Sequence, residues 1–310
     1  MRKNFSYLLC GALALFISAG ALAKASKTQH PVFLVHGVLG WDQAFDIGTY
    51  YFGDDFGTSV ADNCDVFLEL FCNRRINKRQ DVRIVQLTSL ESTFYRGNEL
   101  FDIINQYVEE EGMSLLGHAG NNLSGDALRQ AIANLPKPPH VNLIGHSQGG
   151  IDSRYVAYLL KQAYGYNVAK VVVSVSSPHR GSGIAQSMFD LRNGDFLDQI
   201  AYAVLLPAFE VLWSGILSNG LSDGKVQNAE NMLRSMGYYD IDPNDNLDTG
   251  MQKFNQNFPI HDGSEYLNAD KYASFITSEK RSNLSWAMQL LVGIAGDIEG
   301  NVFEMDAPGA

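Results

Sequence analysis

The sequence predicts an α/β protein built on a parallel, doubly wound sheet with helices packed against it. Three observations carry this. Short apolar runs rich in β-branched residues recur at Pro31–Val35, Val82–Leu87, His140–Ile144 and Ala169–Val175. Segments with helical spacing lie between them. The third run ends in Gly145-His146-Ser147-Gln148-Gly149-Gly150, and a helical segment follows at once. Strands alternating with helices build parallel sheets.

Each element has its own justification. PVFLV is a continuous apolar run, as expected of a buried strand, and it enters the Gly-containing loop His36-Gly37-Val38-Leu39-Gly40. VRIVQL, from Val82 to Leu87, reads as a second strand. Between Asn98 and Glu110 the apolar residues Leu100, Ile103, Ile104 and Val108 fall at helical spacing. Ser124 to Asn134 reads as another helix, with Ser124 or Asp126 as its cap. HVNLI is the third strand, Ile151 to Tyr164 the helix after it, and AKVVVSV the fourth strand. Beyond Val175 the only strand-like run is Tyr272–Thr277. There is no internal repeat and no low-complexity tract.

Composition narrows the function. With 45% hydrophobic and 18% charged residues, 17 Phe and 14 Tyr, the chain is not a disordered one. Its 310 residues suffice for one large domain or two small ones. A net charge of −11 argues against nucleic-acid binding, which needs a basic surface to meet phosphates.

The N-terminus reads as a signal peptide over residues 1–23. Arg2 and Lys3 precede the apolar Leu8–Gly20, and Ala21-Leu22-Ala23 forms the cleavage signal. Cleavage would take 310 residues to 287 and, with Arg2 and Lys3 gone, the net charge from −11 to −13. The expected location is secreted or periplasmic, with residues 24–310 forming one domain. An oxidising compartment makes Cys64 and Cys72 a disulfide pair closing a small loop, with two free core thiols as the alternative. Asp240–Gly250 begins like a calcium loop. Its sixth position is Asp245 rather than Gly and its twelfth is Met251 rather than Glu, so it reads as a solvated turn.

Gly145-His146-Ser147-Gln148-Gly149 is a G-x-S-x-G motif set between strand and helix, the context of a nucleophilic serine on a sharp turn. Small flanking residues allow strand and helix to approach closely. The helix N-terminus turns backbone N–H groups toward developing negative charge. In this reading Ser147 is the nucleophile, and the N–H groups of Val38 and Gln148 form the oxyanion hole. His36 orients its loop and is not the base.

HPVFLVHGVLGWD, VNLIGHSQGG and SVSSPHRGS, in this order, resemble the secreted bacterial triacylglycerol lipases of the Pseudomonas and Burkholderia type. YYFGDDFGTSVADNC resembles related lipases from Acinetobacter-like bacteria. The resemblance runs from about residue 30 to 185 and more weakly through Asn246–Pro259. It implies an α/β-hydrolase fold and hydrolysis of lipid esters through a serine acyl-enzyme. It also implies a helical lid. The apolar Gln199–Leu217, inside an insertion of roughly 183–235, would suit that lid. No cofactor is required for this chemistry. The family's structural calcium is not supported by residues here. A lipid or ester substrate at an interface is the expected partner, with a lipase-specific foldase as a further family partner.

The family's catalytic acid lies in a D-G-[LM]-V stretch and its histidine some twenty residues later. This chain has neither. After Ser147 only His179 and His261 remain. His179 matches a family segment that is not the base. Three readings stay open. The acid and histidine lie beyond Ala310, whose approach MDAPGA resembles the lead-in to the family's acid. Or His261 is the base, with an acid among Asp240, Asp242, Asp245 and Asp248. Or the protein is a non-catalytic relative that binds lipid or a partner. A short-chain esterase or a phospholipase is the alternative within enzymes.

Overall fold

The computed structural model describes residues 29–37, 43–44, 49–50, 81–120, 122–183, 185–186, 225–237, 250–262 and 265–275. The segment 1–23 expected to be a signal peptide, Val38, Cys64, Cys72, Gln199–Leu217 and Asp240–Thr249 lie outside these residues. Among the described residues, no helix is long and apolar enough to cross a membrane.

Five parallel strands form the central sheet: β1 (Val32–Val35), β4 (Val82–Val85), β5 (Val141–His146), β6 (Ala169–Val175) and β9 (Ala269–Phe275), in the order β4-β1-β5-β6-β9. Two-residue pairs, β2 (Gln43–Ala44) with β3 (Thr49–Tyr50) and β7 (His261–Asp262) with β8 (Glu265–Tyr266), make separate antiparallel ladders. The helices are α1 (Thr93–Leu116), α2 (Gly125–Ala133), α3 (Gln148–Tyr164), α4 (Lys225–Met236) and α5 (Met251–Asn257).

The order of the strands places the site. From β1 the chain steps outward to β4, then returns across β1 to β5 on its other side. The winding reverses between β1 and β5. In open α/β sheets the crevice beyond the strands' carboxyl ends at such a reversal is where ligands bind. The loop after β1 and the turn after β5 both open there.

One face of the sheet carries Phe33, Val35, Val85, Val141, Leu143 and Val172. They pack on Leu100, Ile104 and Val108 of α1 and on Val156 and Leu160 of α3. The opposite face carries Val32, Leu34 and Ile144. The sheet is therefore apolar on both sides, which is why β1 reads as an unbroken hydrophobic run. Aromatic rings join α5 to this body: Phe254 and Phe258 meet Tyr155 of α3 and Phe94 of α1 with centroids 4.9 to 6.3 Å apart.

The elements match the sequence reading in kind and differ at their ends for identifiable reasons. β4 stops at Val85 rather than Leu87, because the Leu87 N–H leaves the ladder to donate to Nε2 of His36 at 3.1 Å. α1 extends well past the expected 98–110. Ser92 caps it by accepting from the Tyr95 N–H, and Gly117 ends it at φ 59°. Ser124 occupies the N-cap position of α2, but its side chain makes no capping bond. α3 begins at Gln148 instead of Ile151, so the turn from strand to helix is a single residue, Ser147. β9 begins three residues earlier than expected, at Ala269.

The residues that flank the insertion expected over roughly 183–235 meet: the Ser182 N–H donates to the Met236 carbonyl at 2.7 Å.

Candidate active site

Ser147 holds φ 53° and ψ −126°, a backbone region that L-residues other than glycine occupy only under strain. Its N–H donates to the Val175 carbonyl at 2.9 Å, which ties it to the end of β6. Ser176, at the end of β6, is the other non-glycine residue with positive φ among the described residues, at 52°. Its N–H donates to the Phe275 carbonyl at 2.9 Å. Two strained serines thus sit side by side at the sheet's carboxyl edge, a place where strain accompanies function.

The close approach that the motif requires is measurable. A Cβ on Gly149 would lie 2.3 Å from the Val35 carbonyl oxygen and 2.6 Å from that of His36. A Cβ on Gly145 would lie 2.2 Å from the Gly149 carbonyl oxygen. One on Gly150 would collide with Ser177 and Ser174 of the next strand and its loop. The first turn of α3 therefore rests directly on the ends of β1 and β6. Gln148 is the first residue of α3, so its N–H is one of those that helix geometry leaves without an intrahelical acceptor. The Gln148 side chain is fully buried, and its Nε2 donates to the Glu91 carbonyl at 2.8 Å, which fixes the residue.

A buried ion pair lies behind this turn. Arg96 Nε donates to Asp152 Oδ2 at 2.8 Å, with both side chains fully enclosed. Burial outweighs the neighbouring cation and raises the Asp152 carboxyl to about 6, so it is still ionised at neutral pH. Arg154, two residues further along α3, has no carboxylate partner among the described residues. It donates to Asn255 Oδ1 at 2.9 Å, to the Phe258 carbonyl at 3.0 Å and to Nδ1 of His179 at 3.2 Å, and it lies over the Phe254 ring. Burial lowers its guanidinium to about 10.

All seven histidines of the sequence fall among the described residues. His36 is buried, donates from Nδ1 to the Gly37 carbonyl at 2.8 Å, and accepts from the Leu87 N–H at Nε2. Burial, and then the Arg96 cation, push it down to about 3. It is a neutral, orienting residue, as the sequence reading had it. His179 is also buried and held near 3 by burial and Arg154. With Nδ1 accepting from Arg154, its Nε2 donates to Ser174 Oγ at 2.8 Å. His30 and His140 meet edge to face at the amino ends of β1 and β5. His118 lies in the single turn after α1. Burial lowers His146, next to the serine.

His261 stands exposed on the β7–β8 hairpin. That hairpin leads into β9, whose first residue, Ala269, pairs with Ala169 at the amino end of β6. Ser147 is at the carboxyl end of the neighbouring β5. The structure thus brings Gln148 to Ser147 and sets His261 on a connection to the opposite end of the sheet. Val38 and the four candidate aspartates fall outside the described residues. Among the described residues, no group of three or more His, Cys, Asp or Glu side chains could hold a metal ion. Arg96 and Arg154 are the residues that sequence reading missed. The available signal for the second was Asp152 and Arg154 set among the apolar Ile151, Val156, Ala157 and Leu160 of one helix.

The sheet order, the parallel strands and the strained serine between strand and helix are those of an α/β-hydrolase. No protein-family model matches the chain. It is similar to curated triacylglycerol lipases. With that of Burkholderia plantarii it shares 27% identity over 196 residues, 60% of this chain and 41% of that protein. With that of Pseudomonas fragi it shares 29% over 280 residues, 86% of this chain and 72% of that protein. The chain spans about two-fifths of the length of the Burkholderia plantarii and Pseudarthrobacter phenanthrenivorans relatives. The crystal structure of the Bacillus licheniformis lipase BlEst2 in mature form superposes with a TM-score of 0.42 at 15% identity, covering 83% of this chain and 69% of that one.

Proposed function

We propose that this relative of the bacterial triacylglycerol lipases is an exported carboxylic ester hydrolase acting on lipid esters, with Ser147 as its nucleophile. The observation that carries the reading is the strained φ of Ser147 at the point where the sheet's winding reverses. Strain of this kind costs about 1–3 kcal/mol and persists where the surrounding structure enforces it. Here three close-packed glycines enforce it, and what it achieves is to raise the Ser147 side chain above the sheet's carboxyl edge.

The reaction follows from the parts. The Ser147 hydroxyl adds to the ester carbonyl and gives up its proton to a base. The carbonyl oxygen gains a full negative charge in the tetrahedral intermediate. The N–H of Gln148, with that of Val38 as second donor, receives this charge, and the positive end of α3 adds to it. Collapse expels the alcohol, which takes the proton back from the base. Water then repeats the addition on the acyl-enzyme and frees the acid. The buried, neutral His36 and His179 are excluded as that base by their geometry, since both of their ring nitrogens are already engaged.

Triacylglycerols are the proposed substrates, from the names of the relatives and from the apolar Gln199–Leu217, which suits a lid that opens at a lipid surface. Export follows from the segment at 1–23, and a disulfide between Cys64 and Cys72 from export. A foldase is proposed as helper on the family resemblance alone. Hydrolysis of p-nitrophenyl butyrate and palmitate by wild type and by Ser147→Ala tests the reading. Turnover of the long-chain ester that vanishes in the variant supports it. Turnover that survives in the variant rejects it.

A second reading has an observation of its own: no histidine hydrogen-bonds Ser147 Oγ among the described residues. On that reading the protein holds lipid without cleaving it. It predicts binding of a long-chain ester with no turnover, unchanged in Ser147→Ala.

A further inference from the structure

We infer that Arg154 and Tyr272 bind a small monovalent anion of the halide type between α3 and the sheet. Arg154 is a buried cation, and no carboxylate balances it among the described residues. Its guanidinium is lowered only to about 10, so the charge is present at neutral pH. Nη1 and Nη2 are spent on neutral groups: Nδ1 of His179, Asn255 Oδ1 and the Phe258 carbonyl. The Phe254 ring covers the guanidinium, with its centroid 5.1 Å from Cζ. The remaining donor, Nε, is enclosed and meets no acceptor among the described residues. A charge taken out of water needs a counter-charge or a full set of hydrogen bonds, and Arg154 has neither.

The Tyr272 phenol is the second donor. Its hydroxyl is likewise enclosed without a hydrogen-bond partner among the described residues. Burial pushes it up to about 12, so it keeps its proton, and Arg154 is the charged group that acts on it. The register accounts for their meeting. Tyr272 of β9 lies beside Val172 of β6, and Ser274 beside Ser174. Val172 belongs to the face that packs on α3, so alternation puts Ser174, Tyr272 and Ser274 on that face as well. Arg154 is six residues into α3 from Gln148, about 9 Å along the helix axis. Tyr272 is three residues back from Phe275 at the end of β9, about 10 Å along the strand. Both descend from the sheet's carboxyl edge to the same depth.

His179 does not supply the missing acceptor. Its Nδ1 is taken by Arg154 Nη1, its Nε2 donates to Ser174 Oγ, and Ser174 donates to Ser274 Oγ at 3.1 Å. Every bond in this chain points away from Arg154. The cluster therefore presents two enclosed donors and one positive charge. A water molecule would accept from both donors, but it brings two protons of its own and no charge. A halide accepts from both, donates nothing and cancels the cation. Sulfate and phosphate exceed the single charge and call for more donors. Bound here, the anion ties β9 to α3 and, through Arg154, to α5.

The test uses the full chain, dialysed free of chloride into sodium gluconate. Sodium chloride or bromide then replaces gluconate at constant ionic strength. The wild-type thermal midpoint is expected to rise and level off, by about 5–10 °C at 100 times the dissociation constant. Tyr272→Phe removes the hydroxyl and keeps the ring, and the same rise should then need about 10- to 100-fold more halide. A general salt effect would move both proteins alike. Chlorine NMR reads binding directly: the wild type should broaden the chloride line, bromide should reverse this, and Tyr272→Phe should broaden it less at equal concentration. No halide response in the wild type, or an equal one in Tyr272→Phe, overturns the assignment. A midpoint raised as much by sodium acetate as by chloride overturns it too, in favour of an organic carboxylate. None of these readouts depends on ester turnover.

Discussion

Substituting Gly149 with alanine puts the geometry of the serine turn to a quantitative test. The added Cβ would stand 2.3 Å from the Val35 carbonyl oxygen and 2.6 Å from the His36 carbonyl oxygen. Both are backbone atoms of the sheet and its first loop, so neither can swing aside as a side chain would. Reaching the 3.4 Å of ordinary contact requires the first turn of α3 to retreat by about 1 Å. Overpacking of this kind costs about 2 kcal/mol, a drop of roughly 4–8 °C in Tm for a domain of this size. The same retreat carries the Gln148 N–H away from the oxyanion, and a 1 Å misplacement costs about 100-fold in rate. The assay is p-nitrophenyl ester hydrolysis per folded protein, with calorimetry on the same samples. Gly165→Ala is the control: φ there is 74° with nothing near its Cβ, so it costs about 1 kcal/mol and leaves turnover alone. A Gly149→Ala protein with wild-type turnover would refute the argument that this glycine sets the oxyanion geometry.

Other outcomes follow from the same structure. Ser147→Gly relieves the positive φ and should stabilise the protein by about 1–3 kcal/mol while abolishing turnover, whereas Ser147→Ala abolishes turnover and keeps the strain; chemical denaturation of both variants checks this. Arg154→Leu leaves Asn255 Oδ1 and the Phe258 carbonyl without their donor and should cost about 3 kcal/mol, with faster amide exchange in α5. His36 and His179 have folded values near 3 against an ordinary 6.5, so the unfolded chain binds more protons between those limits. Their contribution to stability is complete above about pH 6.5 and is lost as pH falls toward 3. Asp152, raised to about 6, works in the opposite sense between 3.8 and 6 and offsets part of this. Thermal midpoints should therefore fall on acidification from pH 7 to 4.5, and less steeply in His36→Gln.

The strands, the serine turn and their order were legible in the sequence because each is written locally. A buried parallel strand is a run such as VFLV, and the sharp turn needs small residues at fixed offsets around Ser147. The role of His36 was legible from its place straight after the first strand. Less was legible where the determinants are distant. The end of β4 depends on a ring nitrogen 51 residues away. The guanidinium of Arg96 joins groups 8, 56 and 60 residues apart in the chain, and no local pattern announces that. The β7–β8 hairpin, with two residues per strand, has no periodicity to read. His261 was singled out because few histidines follow Ser147, a count that carries no information about which end of the sheet it reaches.

An activated nucleophile at Ser147 reacts with electrophiles that an ordinary surface serine ignores. The most direct measurement is incubation of the purified protein with a fluorophosphonate probe, followed by mass spectrometry of the peptide that contains Gly145–Gly150. One phosphonate per chain is expected, on Ser147, with no label in Ser147→Ala. A folded wild-type protein that stays unlabelled under conditions that label a serine esterase, or a label on another serine, would contradict it.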